Sequence, residues 1–466
     1  MRKGRFFIME DGVLLNITQK LLNDGKYSAV KNIMTEMNVV DIAQIISDAT
    51  PENQVRIFRL LPTEISAETF SYLDTDIQST IVESITNAEL GKLVDEMFID
   101  DAVDFLEDVP ANVVTRVLAH TSADTRKTIN RFLNYPEDSA GSIMTAEMAA
   151  FNVNCTVEEA INDLRRTALD KESIETCYCI DKNRILLGSV PIRRLIVSKP
   201  ETKIGDIMYD DEQLIYVTTT DDQETVAQIV RKYDLLSVPV VDKEKRLVGI
   251  ITVDDIVDVI QQENTEDFEK MALLIPSEED YMKTGVVKLF RNRIPWLLIL
   301  MVSATFTGFI IDNFEDKLAA VAGLTACIPM LMDTSGNSGN QVSTLIIRGL
   351  ALGTVKLKDY FMVLWKEIRV ALMCGVTLAA ANFVRMYLLN FVTHSVAADR
   401  MFHIFFVVCI SMLFTVVVAK IIGCSLPMLA KVLHLDPALM AGPMITTIVD
   451  AVSLLIYFGF ASVVLF

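Results

Sequence analysis

One carboxylate stands inside an apolar stretch long enough to cross a bilayer. The segment 436–466 reads DPALMAGPMITTIVDAVSLLIYFGFASVVLF, and after its first residue Asp450 is its one acidic or basic residue. A span takes about 20 residues. A carboxylate at its centre costs roughly 2.5–3.5 kcal/mol on insertion scales, so it marks an ion or proton path unless it staples helices together. Arg385 is the candidate partner for a staple.

A second segment is too polar for its setting. LTACIPMLMDTSGNSGNQVSTLIIRGLALG carries Asp333, Asn337, Asn340 and Gln341 among glycines. Irregular or polar backbone at membrane depth is tolerated only where it is buried in protein or lines water. The stretch is expected to be broken, and Gly442 and Pro443 are expected to break the last span. A water-filled path walled by these two segments follows. Close packing of helices through small residues accounts for the glycines but not for the four polar side chains together. One carboxylate among hydroxyls and amides suits a hard cation such as Mg²⁺, which keeps its waters and takes one or two carboxylates. No Cys or His lies near Asp450 to select Zn²⁺ or Cu⁺. Mn²⁺, Co²⁺ and a proton remain open.

These elements belong to one half of an uneven chain. Residues 1–282 carry 52 acids and 28 bases, whereas 283–466 carry 9 and 14. The first half reads as a soluble acidic region, a poor partner for nucleic acid and a natural partner for cations. The N-terminus, MRKGRFFIMEDG, has no apolar core of signal-peptide length, so this half is expected in the cytosol. The seven cysteines are scattered and read as reduced packing residues. The four His (120, 394, 403, 434) have no catalytic or metal-ligand spacing, and no enzyme is expected.

Residues 1–140 repeat short helical patterns punctuated by Pro51, Pro62, Pro110 and Pro136, as in a small solenoid of helices. Residues 141–262 are duplicated. Ile143-Met144 recurs as Ile207-Met208, and DKNRILLG (181–188) recurs as DKEKRLVG (242–249). Each copy reads strand, helix, two strands, helix. The pattern resembles a tandem pair of CBS domains, a regulatory α/β module that often binds adenine nucleotides. Residues 263–292 are charged and amphipathic and connect to residues 293–466. Five spans are expected there: 294–312, 318–346, 367–391, 402–424 and 437–466. With the N-terminus inside, the loops and flanks predicted to be cytosolic hold eleven Lys and Arg, among them Lys283 and Lys420, and the outer segments hold Lys317 and Arg400. This satisfies the positive-inside rule and leaves the C-terminus outside.

Six motifs in this order carry a resemblance over nearly the whole chain. They are YPEDSAGSIMT (135–145), TVDDIVDVI (252–260), TEDFEK (265–270), DTSGNSGNQ (333–341), LIIRGLALG (345–353) and DPALMAGPMITTIVD (436–450). The sequence is similar to the MgtE-type magnesium channels. That resemblance implies a multidomain homodimer in the plasma membrane: a helical N-terminal domain, a CBS pair, a plug helix and a five-helix all-α transmembrane domain. It implies Mg²⁺ as cargo, a pore site at Asp450, and closure when cytosolic Mg²⁺ is high. The implied sensor acids are Asp100 and Asp104 in the N-terminal domain and Asp222, Glu224, Asp234, Asp255 and Asp258 in the second CBS copy. Glu263, Glu266 and Asp267 continue the set into the plug helix. Repulsion would part the domains without cation, and Mg²⁺ bridging would dock them. It also implies an ATP-type nucleotide site, with Thr252 and Asp255 on phosphate and ribose. The first copy departs from that pattern, with Arg194 where relatives use an acid. No P-loop of the G-x-x-x-x-G-K-[ST] type is present to power transport, so flux is expected to follow the electrochemical gradient. The alternatives are a carrier of Co²⁺ or Mn²⁺, one coupled to protons through Asp450, and a non-conducting membrane receptor for Mg²⁺.

Overall fold

A computed structural model describes residues 11–210, 212, 214–277, 281–282, 284–314, 324–393 and 398–465. The first ten residues, Lys283, Lys317, His394 and the first part of the expected second span lie outside the described residues. The chain divides into two compact units, Met1–Ile260 and Gln261–Phe466.

The first unit opens with ten helices between Asp11 and Phe132, the longest of them 13 residues. Their ends are written locally. Asn38 caps one through the Val40 amide, and Thr86 and Glu89 form a reciprocal capping box. Pro51 opens another, where its missing N–H is not needed. Helices two apart pack on one another, so Thr63–Ser71 meets Asn87–Glu96, which meets Ala111–His120. Phe70 is fully buried between Phe58 and Phe105, with ring centroids 5.9 and 5.1 Å away.

The duplication is visible as two three-stranded sheets of identical order. β1 (Met148–Asn152) pairs parallel with β2 (Ser173–Ile180), which pairs antiparallel with β3 (Leu186–Pro191). β4 (Val217–Thr218), β5 (Ser237–Val241) and β6 (Leu247–Thr252) repeat that order. The repeated motifs cross over. Met144 precedes the first copy yet packs on Gly249 of the second, and Met208 precedes the second yet packs on Gly188 of the first. A Cβ at these glycines would lie 2.7 Å from Met144 Sδ and 3.0 Å from Met208 Sδ. The two copies are therefore interlocked. The YPEDSAG motif seats the junction: Ala140 and Gly141 donate to the Asp221 and Thr219 carbonyls, and a side chain at Gly141 would strike Tyr135.

The second unit begins inside the helix Val253–Met271, which runs unbroken from β6. This helix runs through residue 263, the expected start of the connecting segment. Leu273, in the left-handed region at φ +54°, stops it. Long helices follow at Val286–Asp312, Ile328–Ala351, Tyr360–Thr393, Ala398–Val432 and Gly442–Leu465. Among the described residues, four stretches are long and apolar enough to cross a membrane: Val286–Asp312, Leu357–Phe391, Met401–Val432 and Pro437–Leu465.

Two expectations about these helices are corrected. The polar segment 328–351 is one continuous helix. Pro329 sits in its first turn, and its glycines serve close approach rather than a break. Gly423 abuts the Gly339 carbonyl so closely that a Cβ would lie 2.3 Å from that oxygen. Gly442-Pro443 is not a mid-span break either. It opens the last helix, after the short turn Pro437–Met440. Lys420, read as a flank residue, is 5% exposed within its helix, with Glu367 Oε2 3.9 Å away.

Candidate functional site

The helices Ile328–Ala351 and Gly442–Leu465 form an antiparallel ladder. Tyr457 Oη donates to the Leu324 carbonyl at 2.9 Å, just before the first helix. Ser453 Oγ meets Ser335 Oγ at 2.7 Å. The Gly442 amide donates to Asn340 Oδ1 at 2.9 Å, and Ser343 Oγ donates to the Met440 carbonyl at 2.9 Å. Numbers rise on one helix as they fall on the other, so the polar helix runs beside the apolar one along its length.

Asp450 lies between these rungs, half-buried. Gly336 makes room for it: a Cβ there would be 3.1 Å from Thr446 Cγ2 and 3.6 Å from Asp450 Oδ1. Asp333 lies one turn before Gly336 on the same helix. Asn337 Nδ2 donates to Asp333 Oδ1 at 3.1 Å, and both side chains are exposed, as is Gln341. Thr446 and Thr447 turn their hydroxyls back to the Pro443 carbonyl. One face thus carries two carboxylates, amides and hydroxyls, an oxygen-rich lining that suits a hydrated hard cation. Arg385 is not the partner of Asp450. Its guanidinium donates to Asn382 Oδ1 at 3.0 Å and lies against Met330 Sδ.

At one end of this ladder, Lys270 stands between two acids, with Nζ 2.7 Å from Glu266 Oε1 and 2.8 Å from Asp436 Oδ2. Burial works against its charge, but hydrogen bonds to Asp436 and Glu266 outweigh it and hold the amine's pKa above its ordinary value. Arg348 donates to Asn264 Oδ1 at 2.6 Å in the same region.

The first unit holds a separate acid cluster. Asp100, Asp101 and Asp104 on helix Ile99–Asp108 face Asp254 and Asp255 at the start of the helix after β6, with Glu172 and Glu147 alongside. Burial raises Asp100 well above the carboxylate range, aided by the charges of Asp101 and Asp255, and its Oδ1 has no partner. Burial and Asp255 push Asp101 to about 6. Asp104 keeps solvent on one side, yet desolvation by the surrounding protein and the Asp101 charge push it to about 7. Burial and Asp255 take Glu172 to about 7. A cluster of carboxylates that resist ionisation, one with an orphaned oxygen, fits a hard cation by chemistry. Among the described residues no three His, Cys, Asp or Glu side chains stand close enough to hold a metal ion.

The other sequence candidates are placed apart. Asp222 caps helix Gln223–Tyr233, accepting from the Glu224 and Thr225 amides, and Asp234 ends it in the left-handed region at φ +51°. Asp258 is exposed, and Glu263 and Asp267 are partly buried beyond the unit boundary. Thr252 donates its hydroxyl to Asp255. Neither of them lines the cleft of about 500 Å³ between the two CBS copies, which is walled by Tyr178, Arg193, Tyr209, Asp234 and Pro239 among others. Arg194 stacks over Tyr209, 4.8 Å from its centroid.

Comparison with known proteins fits this arrangement. A magnesium transporter MgtE of Thermus thermophilus is 34% identical over 461 residues, covering 98% of this chain and 99% of the relative. The chain belongs to the MgtE family. A magnesium transporter MgtE of Bacillus subtilis is 31% identical and covers 95% of each chain. The MgtE family model, described as a divalent cation transporter, matches residues 328–460. The MgtE intracellular N domain matches 37–138, and a CBS domain matches 204–262. The crystal structure of the soluble part of a magnesium transporter is 29% identical, with a TM-score of 0.52, covering 55% of this chain and 99% of that one. MgtE membership makes this a multi-pass membrane transporter with a helical N-terminal domain, a CBS domain and apolar helices.

Sequence reasoning missed Asp101, Glu147, Glu172, Asp254 and Lys270. Asp101 had a signal beside Asp100. Glu172 and Glu147 had none, because only the fold brings the first CBS copy against helix Ile99–Asp108.

Proposed function

We propose that this chain is a Mg²⁺ channel of the plasma membrane. It works as a homodimer whose five helices per chain cross the bilayer, with the N-terminal helices as a stacked solenoid. Residues 1–140, 141–262, 263–292 and 293–466 act as N-terminal, CBS, connecting and transmembrane domains. The N-terminal domains lie in the cytoplasm and the C-terminus outside. Mg²⁺ passes along the face that carries Asp450, Asp333, Asn337 and Asn340, with Gln341, Gly442 and Pro443 beside it. The observation that carries this reading is the antiparallel ladder, which holds a polar helix against an apolar span and sets Asp450 over the gap at Gly336.

Regulation follows from the acid cluster. Asp100, Asp104 and Asp255, with Asp101 and Glu172, would attract cytosolic Mg²⁺ through its water shell, and the ion would offset their mutual repulsion. Asp222, Glu224, Asp234, Asp258, Glu263, Glu266 and Asp267 extend the sensor. ATP would enter the cleft at Tyr178 and Arg193 rather than the bonded Thr252–Asp255 pair.

Mg²⁺ influx into liposomes holding the full chain tests the reading, with Co²⁺ and Mn²⁺ as competitors. Wild type should conduct Mg²⁺ and Asp450→Asn should lose at least about tenfold, since a carboxylate about 4 Å from a dication in water contributes roughly 2 kcal/mol. Preferred flux of Co²⁺ or Mn²⁺ would make it a carrier of those ions. Mg²⁺ binding without flux would make it a receptor.

A further inference from the structure

Asp333 is an acid in an unusual place. It lies on a helix whose hydropathy fails the standard of a span, yet that helix is held along its length by the apolar helix Gly442–Leu465. The rungs fix the level of Asp333. Ser335 meets Ser453, and Gly336 faces both Thr446 and Asp450. Asp333 therefore stands at the level of Asp450. Its neighbours on the helix at Leu331, Ser335 and Gly336 are buried, whereas Asp333 and Asn337 are exposed. An exposed carboxylate at this depth cannot face hydrocarbon at acceptable cost. Its face must therefore meet water. The Asn337 amide, donating at 3.1 Å, holds the carboxylate on that face without neutralising it. Among the described residues, no Lys or Arg forms an ion pair with Asp333.

We infer that Asp333 is a second ion-attracting acid of the permeation path, setting how strongly the path draws divalent cations while Asp450 sets the narrow site. The inference rests on the pathway reading above. Each chain then offers the ion two carboxylates at one level, joined to amides from Asn337 and Asn340. The role is electrostatic attraction rather than direct coordination of a dehydrated ion. Mg²⁺ keeps its water shell in such sites, and a second carboxylate acts through that shell. A dication about 7 Å from one carboxylate in a water-filled path gains close to a tenfold increase in occupancy.

The test is Mg²⁺ influx into liposomes over a concentration series, using a Mg²⁺-sensitive dye and full-length wild type, D333N, D333E and D450N. Size-exclusion elution at the wild-type position verifies folding. D333N should raise the half-saturating Mg²⁺ concentration about tenfold with little change in maximal rate, and D333E should restore it. D450N should lose flux at every concentration. If D333N elutes aggregated, Asn337→Ala is read instead. It frees the carboxylate from its donor and should move the half-saturating concentration without lowering the maximum. A D333N curve that overlays wild type, or for N337A an unchanged one, overturns the inference and leaves the pathway standing. A D450N that conducts like wild type, or a wild type that passes no Mg²⁺, overturns both.

Discussion

Lys270 Nζ lies 2.8 Å from Asp436 Oδ2, and so ties the end of the connecting helix to the turn that opens the last helix. Asp436 also accepts from the Ala438 amide at 2.8 Å, and that turn leads directly to Gly442. The lysine thus reaches, through one carboxylate, the segment that positions Asp450. Met271 seals the same corner, packing with Ile347, Ala438 and Ala441, and a Cβ at Gly442 would press within 2.8 Å of the Met271 carbonyl.

Lys270→Met removes the cation and leaves Glu266 and Asp436 facing each other. A partly exposed pair of this kind is worth up to about 1 kcal/mol. Backbone amides of residues 264–271 should therefore exchange hydrogen roughly fivefold faster than in wild type when divalent ions are absent. Added Mg²⁺ should restore protection in the mutant, because a dication can replace the ammonium between the two acids. Equal exchange in both proteins would reduce the contact to a surface pair.

The acid cluster makes the cytosolic unit sensitive to pH in a defined direction. Asp101 at about 6, and Asp104 and Glu172 at about 7, lie above the ordinary carboxylate range that the unfolded chain keeps. The folded state therefore binds more protons between about pH 4 and 7, and its stability falls as pH rises through that window. In divalent-free buffer, the unfolding midpoint of this unit should be several degrees higher at pH 6 than at pH 8, at roughly 3 °C per kcal/mol for its size. Solvent beside Asp104 screens its share. Asp100→Asn mimics protonation at the most buried member and should raise the midpoint at pH 8. A midpoint that rises with pH over this range would contradict the assignment.

Much of this arrangement is legible in the amino-acid sequence. Asp450 stands out because burial of a charge in hydrocarbon is costly wherever the chain goes. The CBS duplication is legible because its strands and turns repeat in order. The polar face of 328–351 is legible as composition, but its shape is not. Composition points to a broken span, whereas the helix keeps its own hydrogen bonds and spends its glycines on contact with Gly423 and Ile445. The acid cluster is half legible. Asp100 and Asp104 share a helix face, but Glu172 joins them only through tertiary packing. Lys270 reads as an ordinary surface lysine until Asp436, far along the chain, is brought to it.

The contact between Gly339 and Gly423 carries the most specific prediction about packing. A Cβ at Gly423 would lie 2.3 Å from the Gly339 carbonyl oxygen and 3.2 Å from its Cα. The obstacle is helix backbone, which cannot rotate aside as a side chain would. The helices Ile328–Ala351 and Ala398–Val432 would have to separate, and Ile445 and Val449, packed with Ala419 in the same layer, would lose contact with them. Overpacking of this kind costs about 1–3 kcal/mol. Gly459 offers the control, since a Cβ there meets nothing within 4 Å. Gly423→Ala should lower the thermal midpoint of the unit Gln261–Phe466, followed in the detergent-purified chain, by several degrees, at roughly 3 °C per kcal/mol for a unit of that size. It should also reduce Mg²⁺ influx, because moving the polar helix displaces Gly336 from Asp450. Gly459→Ala should leave both unchanged. If the two variants behave alike, the glycines of this layer are not spacers, and the position of the polar helix is set by the hydrogen bonds at Ser335, Asn340 and Ser343.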